Sequence, residues 1–383
     1  MKLRLDLKFD KGLLLAVLVL LALGVFVIYS GSAFQAEKLG RPSYFYALSH
    51  LERVLFAFGF LLIGLFIDHK AWLRLSHGLF LLGLFSLVVV VIIGVAAKGA
   101  SRWLLVGGIS MQPSEFVKIA LFSLLSARLA ALGDGVKDFK KGFVNPMVTM
   151  GIVTILLLLQ PNFSMAMMVV GTTYILLFTA GTRLKYLFLS AIPFVVGAAV
   201  VAIAAPYRLV RIQAWLHPEE YLEKGGYQLY NALISLGHGG LFGTGIGQGT
   251  QKLGFLPESY KDVAFSLLGE ELGFVGSLVV LLLFGFIIYR GFSIARNAKT
   301  RYAKLFAVSL TASLAFNVIF HVFVCTGLMP TTGQPLPFIS YGGTNLLASL
   351  LSIGILLNIS RPGTGSRIVE EPLKSTEYFA RYI

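Results

Sequence analysis

The chain has 383 residues, of which 56% are hydrophobic and only 13% charged, with a net charge of +14 and a mean hydropathy of +0.81. A soluble domain carries about 25% charged residues, so this composition excludes an array of soluble domains and fits a bundle of apolar spans. The basic residues lie between apolar runs and form no basic arm; nucleic-acid binding is excluded as their explanation, and the positive-inside effect accounts for most of them.

In chain order, Lys2, Arg4, Lys8 and Lys11 precede the apolar run Gly12–Tyr29. That run exceeds the apolar core of a signal peptide, and an uncleaved first span is expected. Further runs follow, giving spans at about 12–31, 51–67, 78–97, 115–133, 146–162, 164–181, 185–205, 263–289, 304–325 and 344–359. Lipid leaves backbone polar groups no partner but the chain itself, so all ten are expected to be helices. The fold class is therefore an all-α integral membrane protein, one polytopic domain over 1–360 with a tail at 361–383. With the N-terminus in the cytoplasm, most of the 32 Lys and Arg fall on the cytoplasmic side, which puts both termini inside. Four stretches then lie outside: 30–50, 98–114, a long loop at 206–261, and 326–343. The single Cys325 excludes an intrachain disulfide.

These outer stretches hold the unusual residues. Gln112-Pro-Ser114-Glu115 reads as a helix start, and Glu115 and Lys118 share a helical face three residues apart. They form either a self-neutralising pair or a charged cavity wall, with Lys118 or Arg102 available to phosphate. Gln160-Pro-Asn-Phe-Ser164 reads as a turn. Arg208, Arg211 and Trp215 share a stripe of an interfacial amphipathic helix, which suits either surface anchoring or a lipid-linked phosphate. Gly237–Gly249 has seven glycines in thirteen residues, but no preceding strand and no following Lys-Ser/Thr, so it reads as tight or re-entrant backbone and not as a nucleotide loop.

Four carboxylates, Glu258, Asp262, Glu270 and Glu271, then cluster where a polar loop enters an apolar run, in a chain with only 18 acidic residues. An ionisable group at the edge of hydrocarbon is a functional candidate. Asp262 reads either as a helix cap or as a general base. Glu270 lies two turns further in and, with Glu271, Gln112, Ser114 and Gln160, reads as support. Lys252 and Glu258 join the binding candidates. Finally, Gly327–Asn345 carries prolines and glycines at membrane depth, which is tolerated only where backbone lines a protein cavity. Ser340, Gly342 and Gly343 there offer polar contacts. The six histidines show no metal-ligand spacing, and His321 reads as a satisfied core residue.

Taken together, Gly99-Ala-Ser-Arg-Trp, Gln112-Pro-Ser-Glu-Phe-Val-Lys, Gly226-Tyr-Gln, Gly239-Gly-Leu-Phe-Gly, Phe255-Leu-Pro-Glu, Gly269-Glu-Glu-Leu-Gly-Phe and Pro335-Leu-Pro-Phe-Ile-Ser-Tyr-Gly-Gly resemble the SEDS family (shape, elongation, division and sporulation), with wording closer to FtsW than to RodA. The resemblance implies a peptidoglycan glycosyltransferase in the bacterial inner membrane. Such an enzyme polymerises lipid II into β-1,4 glycan and releases undecaprenyl pyrophosphate. Asp262 falls on the family's essential aspartate, and Glu115 and Lys118 on its charged pair. The resemblance also implies lipid II and the nascent glycan strand as ligands, with a class B penicillin-binding transpeptidase and other cell-wall membrane proteins as partners. A divalent cation, Mg or Mn, could assist the departing pyrophosphate. The chain departs from the family pattern at Asn162, where an acid is usual, and at Tyr260-Lys261, where His and Thr are usual. A lipid II flippase and a non-catalytic scaffold are the rival readings.

Overall fold

A computed structural model describes residues 9–97, 100–106, 109–204, 206–251 and 259–362. The helices are α1 (Lys11–Lys38), α2 (Phe45–Phe66), α3 (His69–Ile93), α4 (Ser114–Leu132), α5 (Asn145–Leu159), α6 (Phe163–Ala180), α7 (Leu184–Ala204), α8 (Pro206–Leu216), α9 (Tyr227–Gly239), α10 (Ser259–Asp262), α11 (Ala264–Arg296), α12 (Arg301–Cys325) and α13 (Thr344–Ile359). Among the described residues, eight of these are long and apolar enough to cross a membrane: α1 to α6, α11 and α12. The segments expected as spans at 185–205 and 344–359 are also helical, but shorter in their apolar extent.

Several boundaries differ from expectation, among them the start of the third span at His69, nine residues early. The second span begins at Phe45, six residues early, so Tyr46, Ser49 and His50 belong to a helix and not to an outer loop. The third span ends at Ile93, because the chain leaves the helix at Gly94 and pairs in strands. Strands β1 (Val95–Ala97), β2 (Ala100–Val106) and β3 (Ile109–Met111) form a small antiparallel sheet, with Val95 opposite Trp103 and Leu104 opposite Met111. The fold is all-α apart from this meander, whose strands carry the β-favouring Val95, Trp103, Val106 and Ile109. The long outer segment is also not one loop, since it contains α8, α9 and α10.

Burial sorts the helices. In α4 and α12, 67% of the spanning window is buried, against 22% in α3, so α4 and α12 form the centre and α3 the rim. Helix α13 is buried along nearly its whole length and crosses α2 at backbone distance. A Cβ on Gly354 would lie 2.1 Å from the Leu61 carbonyl, and one on Gly64 would lie 2.6 Å from that of Leu351. Paired small residues of this kind let helices meet where no hydrophobic effect drives them together.

Helix α11 is broken. Gly273 has φ 67 and ψ −168, and the glycine-rich segment after α9 fills the gap. Phe274 and Val275 donate to the carbonyls of Gly240 and Leu241 (2.9 and 3.0 Å), and Thr244 and Gly245 donate to those of Glu270 and Glu271 (2.9 and 3.1 Å). A Cβ on Gly239 would lie 2.0 Å from the Gly269 carbonyl, so this contact requires glycine. The tight backbone expected from Gly237–Gly249 thus re-pairs the groups that the break exposes.

The segment between α12 and α13 is non-helical, as the prolines require, and is buried at Gln334 and Leu336–Ser340. A turn closes it: Leu336 N–H donates to Ser340 Oγ at 2.8 Å, and Ser340 N–H donates to the Leu336 carbonyl at 3.0 Å. Gly24 of α1 admits it, since a Cβ there would lie 2.4 Å from the Phe338 carbonyl.

The α2–α13 contact yields a first expectation. Gly354→Val should lower the thermal midpoint of the detergent-solubilised protein by an amount equivalent to about 1–3 kcal/mol or more, because backbone cannot move aside. Gly59→Ala, at a helical position with open space around it, should be neutral or slightly stabilising. Equal behaviour of the two variants would contradict the packing described.

Candidate functional site

Asp262 ends α10, a single turn held in place by aromatic packing. Tyr260 is fully buried, and its ring lies 5.5 Å from those of both Tyr46 and Tyr341. The Tyr260 carbonyl accepts from the Tyr341 N–H at 2.8 Å. Past Asp262 the chain turns at Val263 (φ −135, ψ 33) before α11 begins. Val263 occupies the cap position, so Asp262 sits one residue outside the helix cap, at the positive end of the α11 dipole. Asp262 is half-buried and interacts electrostatically with Cys325 at the end of α12.

The start of α11 is pinned from α12. His321, fully buried, accepts from the Phe265 N–H at Nε2 (3.3 Å), and Nδ1 is then the donor to the Gln334 carbonyl (2.8 Å). This neutral imidazole ties α11, α12 and the buried proline segment together three residues from Asp262. It is the satisfied core histidine that the sequence suggested.

Tyr341 is the hub on the other side. Arg53 of α2 lies with Cζ 4.3 Å above its ring, and the Lys261 ammonium is 6.0 Å from the same ring and 5.6 Å from that of Tyr260. Cation–π contacts of this length are favourable. Ser49 Oγ is 3.3 Å from the Tyr341 hydroxyl, and buried His50 packs at 5.9 Å. Lys261 and Arg53 thus both pack on the tyrosine cluster that leads into Asp262. Sequence reasoning missed Tyr46, Ser49, His50 and Arg53; the available signal was Glu52-Arg53 interrupting the apolar start of the second span.

Glu115 and Lys118 form a salt bridge of 2.7 Å, with only 2% and 7% of their side chains exposed. Asn345 Nδ2 donates to Glu115 Oε1 at 3.2 Å, and the Gln112 N–H donates to Thr344 Oγ1 at 3.0 Å. The pair therefore clamps α4 to the first turn of α13, four residues after Tyr341. Ser114 is buried beside it.

The remaining candidates divide by place. Arg102 Nε donates to the Gln160 carbonyl at 3.2 Å and Nη2 to that of Pro161, so its guanidinium braces the sheet on the 160–161 turn. Gln160 Nε2 in turn donates to the Leu87 carbonyl at 3.0 Å. Arg211 Nη1 donates to the Thr331 carbonyl at 3.2 Å and Trp215 Nε1 to that of Gly327 at 2.7 Å, docking α8 on the segment before α13. Arg208 lies on the same helix. Glu270 Oε1 accepts from the N–H groups of Thr250 (2.8 Å) and Gln251 (3.2 Å), and Glu271 Oε1 accepts from Ser30 Oγ; both acids are buried. Gly343 immediately precedes α13, and Gly342 lies against Pro335. Lys252 and Glu258 lie outside the described residues.

The one cluster of three His, Cys, Asp or Glu ligands among the described residues is exposed His217, Glu219 and Glu220 after α8, and it does not include Asp262.

Comparison with known proteins agrees with this arrangement. The family model described as cell cycle protein, covering FtsW, RodA and SpoVE, matches residues 11–364. Stage V sporulation protein E of Bacillus subtilis is 36% identical over 358 residues, covering 92% of this chain and 97% of that protein. The probable peptidoglycan glycosyltransferase FtsW of Trichlorobacter lovleyi is 38% identical over 358 residues, covering 92% and 93%. Among solved structures, a chain described under "Structural coordination of polymerization and crosslinking by a peptidoglycan synthase complex" superposes with a TM-score of 0.75 at 28% identity, covering 93% of this chain and 98% of that one. RodA of Thermus thermophilus superposes at 0.68 and 24% identity, covering 93% and 98%, and so shares the fold. The broken helix, the buried proline segment and the charged clamp are thus those of a member of the FtsW/RodA/SpoVE family, to which this chain belongs.

Proposed function

We propose that this protein is a peptidoglycan glycosyltransferase that polymerises lipid II, with Asp262 as its general base. The 4-hydroxyl of the acceptor sugar attacks the anomeric carbon of the donor. Its proton passes to the Asp262 carboxylate, the anomeric C–O bond breaks, and the electron pair leaves with undecaprenyl pyrophosphate, inverting the anomeric centre. The observation that carries this reading is a half-buried carboxylate just outside a helix N-terminus, next to Lys261 and held by a tyrosine cluster on which Lys261 and Arg53 both pack. A positioned base and fixed cations are what such a displacement requires. The relatives named peptidoglycan glycosyltransferase support the reaction class.

Lys261 and Arg53 are assigned to the pyrophosphate, while Arg102 and Arg211 hold backbone and shape the site's floor and rim. Lys118 acts chiefly through its clamp with Glu115. In the membrane, α7 and α13 complete ten spans, the Asp262 end faces outward and both termini lie in the cytoplasm, as the distribution of Lys and Arg supports. A class B penicillin-binding transpeptidase is the partner that fits a polymerase of this kind; the matched solved chain comes from a complex that couples polymerisation to crosslinking.

Two outcomes test the proposal. With purified protein, its transpeptidase and lipid II, Asp262→Asn should cut glycan synthesis by about 10²–10⁴-fold, the usual worth of a general base, while lipid II still binds. Transfer of lipid II between leaflets without polymer, unaffected by that substitution, would establish the flippase instead. Separately, Lys118→Met should cost about 3–5 kcal/mol of stability by stranding a buried Glu115, and the double variant Glu115→Leu/Lys118→Met should recover most of it. A double variant as unstable as the single would show that the pair does more than neutralise itself.

A further inference from the structure

Helix α4 runs away from the Asp262 end, and the connection from it to α5 is folded into a 3₁₀ turn (Gly133–Lys137) and a π turn (Lys140–Val144). The two turns meet backbone on backbone, since a Cβ on Gly142 would lie 1.9 Å from the Val136 carbonyl. Val136 and Phe143 are buried. Thr182, in the turn between α6 and α7, donates from Oγ1 to the Gly142 carbonyl at 3.2 Å. The two connections therefore present one fixed surface. On it Phe139 is 53% exposed, although its ring lies 4.9 Å from that of Tyr186 and 5.9 Å from that of Phe143. The same connections carry Lys137, Lys140, Lys141, Arg183 and Lys185, all exposed. With the described residues, the first four make no side-chain hydrogen bond or ion pair, and the Lys185 ammonium packs on the Tyr186 ring at 5.1 Å. The acids of these connections are Asp134 and Asp138, and Asp138 Oδ1 is taken by the Lys141 N–H at 2.8 Å. Arg301 of α12 adjoins them, with Nη2 donating to the Ala180 carbonyl at 2.9 Å.

We propose that this surface docks on the anionic phospholipid headgroups of the adjacent leaflet, with Phe139 as an interfacial wedge and Lys140, Lys141 and Lys185 as phosphate contacts. The neighbouring helix faces set its depth. Val148 and Ile152, one turn apart on α5, and Leu184 and Phe188, one turn apart on α7, are all exposed and apolar. Hydrocarbon begins at such faces, so the lysines and the aromatic ring stand at headgroup level. An exposed phenylalanine among cations is the pairing that suits an anionic lipid surface: the ring leaves water and the ammonium groups gain phosphate oxygens. The fixed backbone of the two connections holds these groups in place before any lipid arrives, which lowers the entropy lost on docking. The surface is remote from Asp262 and independent of the reaction proposed there.

The test uses the full chain in nanodiscs of equal parts phosphatidylglycerol and phosphatidylcholine, open on both faces, so its outcome does not depend on membrane orientation. Phe139 is replaced by photoreactive benzoylphenylalanine, which keeps the ring, and lipid adducts are identified by mass spectrometry. Leu159, exposed at the other end of α5, carries the same probe as a control. Phosphatidylglycerol adducts should exceed phosphatidylcholine adducts at 139. Each lysine is worth about fivefold in affinity for an anionic surface, so Lys140→Gln/Lys141→Gln should lower that ratio on the order of tenfold or more, and leave the ratio at 159 unchanged. Both lysines are exposed and without side-chain partners among the described residues, so the double variant should fold, which an unchanged thermal midpoint confirms. Should the probe at 139 lower the midpoint, exposed Leu184 beside Lys185 takes its place. Absence of lipid adducts at the probe, adducts without preference for phosphatidylglycerol, a preference that the double variant keeps, or an equal fall at 159 overturns the proposal.

Discussion

Backbone polar groups inside a membrane must find partners in the protein, and this constraint shapes every irregular feature of the chain. Two stretches abandon the helix at membrane depth, the break at Gly273 and the segment before α13, and each is re-paired by a specific neighbour. The break is filled by glycine-rich backbone that donates and accepts across a contact too close for any Cβ. The proline segment is closed by Ser340, held by His321 through Gln334 and laid against Gly24. Glycine recurs at these places because only backbone against backbone is close enough to replace a lost helical hydrogen bond.

The same repairs build the site. The proline segment delivers Tyr341 to Tyr260, whose carbonyl receives the Tyr341 N–H, and this fixes the turn that ends in Asp262. Four residues further on, Asn345 meets Glu115, so the charged clamp of α4 sets the position of the same strand of chain. The carboxylate is therefore not on a free loop. It is held by an aromatic cluster on one side, by the His321 bridge on another, and by a buried ion pair at one remove. Buried polar groups of this kind are costly unless each is satisfied, and here they tie four helices to one short turn.

The polarity of the bundle follows a similar division. One end gathers Lys261 and Arg53 around the tyrosines that lead into Asp262, while at the other the Asp10–Arg290 pair ties helix ends together. Between them the interior is apolar apart from the Glu115–Lys118 clamp, the acids Glu270 and Glu271, and scattered hydroxyl, amide and imidazole groups, most of which bond to nearby carbonyls.

The apolar runs alone determined that the chain is a multi-helix membrane protein, because hydrocarbon permits one solution for each run, and their limits in sequence lie within a few residues of most observed helices. The clustered motifs were legible as a family resemblance, and Asp262 stood out as a rare charge at a helix mouth. What the sequence could not supply was partnership across distance. Arg102, which the sequence offers as one of two phosphate candidates, donates to the carbonyls of Gln160 and Pro161, and Arg53, to which the sequence gave no role, lies over Tyr341. A short strand meander and the early start of α2 were likewise hidden, since neither changes the local hydropathy. Only the tertiary structure decided which charges face the site and which hold the scaffold, because that choice depends on contacts between residues as far apart as 53 and 341.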